Sequence, residues 1–170
     1  MAGVGRHRLL VVRRAWRAGE GAGRDDGFAV ALSCARRGSA VCVMQRLFFV
    51  VGALSGAIGV AASAFGAHAL RGRLAPELLT AFETAARQQL VHAAALLALA
   101  LALSRWSNAA LVAAGWCLLA GTLLFSGSLY ALTLSGVRAF GLVTPFGGLA
   151  LIAGWLLAAW GAWSGERRGA

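Results

Sequence analysis

The stretch Leu47–Leu70, LFFVVGALSGAIGVAASAFGAHAL, runs for 24 residues without an Asp, Glu, Lys or Arg. As an α-helix it would be about 36 Å long at about 1.5 Å per residue, enough to cross a hydrocarbon layer of about 30 Å. Its small residues Gly52, Ser55, Gly56, Gly59, Ser63 and Gly66 recur at helical spacing and form one smooth stripe. Gly52 and Gly56 make a GxxxG pair, the spacing that lets a second helix approach closely in lipid. The stretch is expected to be the first and central span of a helical bundle.

The composition agrees with a lipid solvent. Hydrophobic residues make up 59% of the 170-residue chain and charged residues 13%, against about 45–50% and about 25% in soluble domains. One domain accounts for the length. The net charge of +10 does not indicate nucleic acid, because the arginines flank apolar runs and form no groove-reading motif. That pattern suits anionic lipid head groups and the positive-inside bias. Every basic residue is Arg, and none is Lys. Cys34, Cys42 and Cys117 make no CxxC pair, so neither a disulfide framework nor a zinc pattern is expected.

Residues 1–43 differ from the rest. They hold eight Arg with Glu20, Asp25 and Asp26 and no sustained period. GFAVALSCA is short for a signal peptide, and Arg13-Arg14 lacks the apolar run of a twin-arginine signal. A basic extension, disordered or not native, is expected there, with Met44 as a sensible start. The membrane domain is expected over 44–165, with spans at about 47–70, 85–103, 109–134 and 145–163, and a basic tail at 166–170. Between the first two spans, Pro76 and Glu77 suit a helix start, and Leu78, Leu79, Phe82 and Ala86 share one face. This predicts a short amphipathic interfacial helix that runs on into the second span. Thr144-Pro145 reads as a cap and first turn for the last span. The fold class is all-α: a polytopic membrane protein with four transmembrane helices in an antiparallel bundle.

That connectivity places the polar signals at one leaflet. The end of the first span, the start of the second, the end of the third and the start of the fourth share a side. They carry His68; Gln89 and His92; Ser126, Ser128 and Tyr130; and Thr144. The flanks on the two sides hold four arginines each: Arg46, Arg105, Arg167 and Arg168 against Arg71, Arg73, Arg87 and Arg138. Only the extension tips the count toward cytoplasmic termini.

Several strings in this order carry a resemblance: FGAHAL at Phe65–Leu70, Gln89 with His92, LFSGSLY at Leu124–Tyr130, and TPFGG followed by GW between Thr144 and Trp155. The chain resembles the YgdD-like group of small inner-membrane proteins, a domain-of-unknown-function family with four spans. The resemblance covers about 44–163. It implies the fold and a bacterial inner-membrane location, and no activity. Related proteins usually carry an aromatic residue where this chain has Gln88.

Two histidines are the sharpest candidates for chemistry, since ionisable groups within spans are costly and often functional. His68 and His92, with Glu83, would serve a proton or polar-solute pathway. The plainer reading is that each bonds a neighbouring helix and locks the bundle. Two histidines without a carboxylate or Cys at fixed spacing are a poor metal or haem signal. Ser126, Ser128 and Tyr130 lack a GxSxG elbow, so no catalytic residue, metal or cofactor is expected. Gly147 and Gly148 stand where a helix N-terminus could cradle an anion, but with Gly52, Gly56, Gly59, Gly66 and Gly127 they read first as helix-packing positions. The expected role is a non-enzymatic structural or assembly component. The expected partners are the lipid bilayer and a second copy, through the Gly52–Gly56 face, or another membrane protein. A transporter for protons or a small polar solute is the alternative, and a haem-binding or enzymatic membrane protein the weaker one.

Overall fold

The computed structural model describes residues 39–166, with side chains from 40 to 165. Four long helices carry the fold. They are α1 (Ser39–Phe65), α2 (Pro76–Arg105), α3 (Ala109–Ser135) and α4 (Thr144–Glu166). A π-helical turn, Gly66–Leu70, extends α1, and a 3-10 turn, Arg138–Leu142, precedes α4. No strand occurs among the described residues. Each of the four segments is long and apolar enough to cross a membrane. The protein is a polytopic helical membrane protein.

The helices outrun the spans expected from hydropathy. α1 already includes Ser39 to Val43, the last residues of the expected extension; residues 1–38 lie outside the described residues, as does the tail from 167. Val41 and Met44 pack on the core. The amphipathic segment after Pro76 does run on into the second span, forming the opening turns of the 30-residue α2. Thr144 is the first helical residue of α4 rather than its cap: the Val143 carbonyl accepts from Gly147 N at 3.3 Å. The actual side-chain cap stands at α3, where Asn108 accepts from Leu111 N at 2.9 Å. At the other end of α3, Gly136 adopts φ 72°, the left-handed conformation that ends a helix at little cost in glycine.

α1 is not the central span. Within the most apolar window of each segment, 50% of α2 and 39% of α3 is buried inside the bundle, against 17% for α1 and for the segment containing α4. The middle pair is α2 and α3, with α1 and α4 on the outside. Burial of apolar side chains from lipid brings no hydrophobic gain, so close packing must supply the association.

Glycines spaced by seven provide it. On α1 and its π-helical extension, Cβ atoms added at Gly52, Gly59 and Gly66 would meet Leu96 Cβ at 3.1 Å, Leu90 Cδ2 at 2.9 Å and Phe82 Cδ1 at 3.0 Å. On α4, Cβ atoms at Gly154 and Gly161 would lie 2.8 Å from Leu118 and Leu111, and one at Gly147 would land on the backbone of Phe125. Leu111, Leu118 and Phe125 are themselves seven apart on α3. Gly121 against Leu151 and Ser128 against Thr144 keep the same antiparallel register without a slip. Recurrence by seven on both partners is what holds two helices face to face over many turns.

The core proper fills the half of the bundle where α1 begins. Phe48, Leu96, Leu103, Leu111 and Leu118 are its largest fully buried side chains. The Phe48 ring lies against Gly115 and stands edge-on to Trp116 at 5.7 Å. Most of the polar contacts between helices occupy the other half.

Candidate functional site

Gln89 is the hinge of the polar half. It is 8% exposed on α2. Its Nε2 donates to the Ser55 carbonyl of α1 at 3.0 Å, and its Oε1 accepts from the Tyr130 hydroxyl of α3 at 2.9 Å. A carbonyl can only accept, so the contact with Ser55 fixes which way the amide faces. One side chain thus joins three helices. Gly59 makes this reachable: it lies one turn beyond Ser55, and a Cβ there would be 3.6 Å from Gln89 Cγ and 2.9 Å from Leu90.

Tyr130 and Gln89 are not at the same depth. Ser126, one turn before Tyr130, donates to the Ala85 carbonyl at 2.9 Å, and the Tyr130 ring lies 5.0 Å from that of Phe82. Helical side chains tilt toward their own N-terminus, which points Tyr130 inward from α3 and Gln89 outward from α2. The two therefore meet across more than one turn. Ser126 is 2% exposed, and its bond locks α3 to α2 directly.

His92 sits deeper and is 5% exposed. The Trp155 indole N–H of α4 approaches its Nε2 at 3.3 Å, and its Nδ1 is 2.8 Å from the Gln88 carbonyl. An indole N–H only donates and a carbonyl only accepts, so the ring hydrogen belongs on Nδ1. Both ring nitrogens are engaged. Ser128 and Thr144 share a hydrogen bond of 2.8 Å between α3 and α4. At the far end, Asn108 Nδ2 donates to the Gly161 carbonyl at 2.7 Å, again α3 to α4.

The residues expected together at one leaflet are thus only partly assembled. Gln89 bonds Tyr130 and Ser128 bonds Thr144, while Ser126 and His92 reach other partners. His68 stays apart: it is exposed in the π-helical turn. Gly66 lies at the level of Phe82, so His92 is more than two turns deeper, roughly 15–18 Å along the axis. The two histidines cannot share a metal or haem, and among the described residues no group of three His, Cys, Asp or Glu could hold a metal ion. Cys42 is disulfide-bonded, and Cys117 is a free thiol.

The expected packing glycines also divide. Gly52, Gly59, Gly66 and Gly147 make close contacts, and Gly56 makes an ordinary one with Ala93 at 3.7 Å. Gly148 touches only the Phe125 ring at 3.9 Å, and Gly127 has nothing within 4 Å. The Gly52–Gly56 face is turned to α2. Three contributors escaped sequence reasoning: the Ser55 carbonyl, Asn108 and Trp155. A tryptophan far from the end of a span, whose N–H needs an acceptor, was the available signal for the last.

The family model described as "Protein of unknown function (DUF423)" matches residues 62–148. The chain belongs to the DUF423 family. The UPF0382 inner membrane protein YgdD of Escherichia coli K12 is 40% identical over 132 residues, 74% of this chain and 95% of that protein. The UPF0382 membrane protein YwdK of Bacillus subtilis is 34% identical over 114 residues, 66% of this chain and 93% of that protein. A UPF0382 membrane protein of Staphylococcus epidermidis is 39% identical over 113 residues, 66% and 92% of the two chains. No solved structure matches the chain. The DUF423 match encloses Gln89, His92, Ser126, Tyr130 and Thr144, so most of the polar network lies within the family's own segment.

Proposed function

We propose that this DUF423 member is a non-enzymatic structural or assembly component of the bacterial inner membrane, with both termini cytoplasmic. The carrying observation is how the polar side chains between the helices are used, while the buried Thr122 and Thr133 bond carbonyls of their own helix. Gln89, His92, Ser126, Ser128, Thr144 and Asn108 each hold one helix to another. Among the described residues, no buried side-chain nitrogen or oxygen lacks a partner. A conduction or transport site keeps polar groups facing a wet cavity where an ion or solute can exchange partners. Here they act as interhelical glue.

The test is reconstitution. The protein in liposomes is expected to pass protons no faster than empty vesicles across an imposed pH step, read with an entrapped dye, while His92→Ala lowers thermal stability. A flux above the empty-vesicle rate that disappears in His92→Ala would overturn the structural reading in favour of transport.

A further inference from the structure

Beside the glycine seam of α1 and α2, at the end where α2 begins, a groove of about 340 Å³ runs along the surface of the bundle. Ser63 and Gly66 form its α1 wall, and Phe82, Glu83, Arg87 and Leu90 its α2 wall. Glu83 and Arg87 are both exposed and stand one helical turn apart. Neither forms an ion pair or side-chain hydrogen bond with another described residue. Two opposite charges one turn apart on the wall of a groove, at the edge of a bilayer, suit a ligand that is itself zwitterionic.

We propose that this groove binds the head group of one phospholipid bearing a phosphate and a primary ammonium, the chemistry of phosphatidylethanolamine. The order of the groups along α2 matches that of the lipid. Arg87 is about 27 Å from Arg105 along the helix, close to the thickness of the hydrocarbon core, so it stands where phosphates begin. Glu83 lies about 6 Å farther out, where the ammonium of an ethanolamine head group sits. Leu90, deeper than both, meets the acyl chain. The guanidinium offers a forked pair of donors to the phosphate oxygens. The carboxylate accepts from an ammonium that still has N–H bonds, which choline lacks. Gly66 keeps the α1 wall flat, and Ser63 lines the same space. This inference is independent of the structural role proposed above.

The experiment uses the full chain in detergent, exposed to equal amounts of phosphatidylethanolamine, phosphatidylcholine and phosphatidylglycerol, with bound lipid counted by native mass spectrometry. The ethanolamine lipid is expected to be retained several-fold over the other two. Arg87→Gln should reduce its retention roughly tenfold, the loss of one charge-assisted pair. Glu83→Gln should remove the preference over the choline lipid while leaving overall retention near that of the parent. Arg105→Gln, at the opposite end of α2, should change nothing. Both groove side chains are exposed, so melting curves of the variants should overlay the parent's. Equal retention of all three lipids, preference for the glycerol lipid, displacement by millimolar inorganic phosphate, or unchanged binding in both groove variants would each overturn the proposal.

Discussion

Replacing Gly147 by alanine adds one methyl group at the tightest crossing of α3 and α4. It would lie 2.8 Å from Phe125 Cα and 2.9 Å from its Cβ, and closer still to the backbone nitrogen. Carbon atoms rest at about 3.5–4.0 Å, so roughly 1 Å of separation is needed. A flexible side chain could swing aside; a helix backbone cannot. The two helices must move apart, which loosens Leu118 on Gly154 and Leu111 on Gly161 further along the same register. Overpacking costs about 1–3 kcal/mol, and the backbone obstruction places this case at about 2–3. Gly127 on α3 has nothing within 4 Å, so alanine there gains about 0.5–1 kcal/mol of helix propensity. The two single-methyl substitutions should therefore differ by about 3 kcal/mol, roughly a hundredfold in the unfolding equilibrium. Unfolding by SDS in mixed micelles, followed by circular dichroism, measures both. Equal stability of Gly147→Ala and the parent, or an equal loss in Gly127→Ala, would refute the glycine register.

Two further outcomes follow from the same contacts. Gln89→Leu should cost about 1–2 kcal/mol, since cross-helix hydrogen bonds in membranes average about 0.6 kcal/mol with a maximum near 1.7. Combined with Tyr130→Phe in a double-mutant cycle, it should show a coupling of about 0.5–1 kcal/mol; additivity within error would mean that the Tyr130–Gln89 bond contributes nothing. A reporter fused after Ala170 that is active only in the cytoplasm should be active, and one active only outside should be silent; the reverse pattern would invert the proposed orientation.

The number of spans and the turns between them were legible because lipid imposes a simple rule on hydropathy and length. Which face of each span turns inward was not. α3 and α4 are apolar all round, so no polar stripe marks the outer side, and α1 looked central because it is the smoothest run. The GxxxG pair drew attention to Gly52 and Gly56, yet the close contacts follow Gly52, Gly59 and Gly66. The decisive spacing was seven, repeated in Gly147, Gly154 and Gly161, and it becomes visible only beside Leu111, Leu118 and Phe125 on the facing helix. Gln89, Tyr130, Ser128 and Thr144 could be assigned to one end from connectivity alone. Their partners could not, because the Ser55 and Ala85 carbonyls are backbone and leave no mark on residue identity. His68 shared the topology of that end but sits beyond the packed seam, where nothing reaches it.

The contrast between the two kinds of seam has a consequence for biogenesis. α1 with α2, and α3 with α4, are joined through glycine, a contact complete within about sixty residues of newly made chain. The halves meet through Ser126 on Ala85 and Tyr130 on Gln89, bonds that wait for α3, and through Trp155 on His92, which waits for α4. A ribosome feeding this chain into the membrane would deliver two prefabricated hairpins, and the indole of Trp155 on His92, which needs the final helix, would be the latch that closes last.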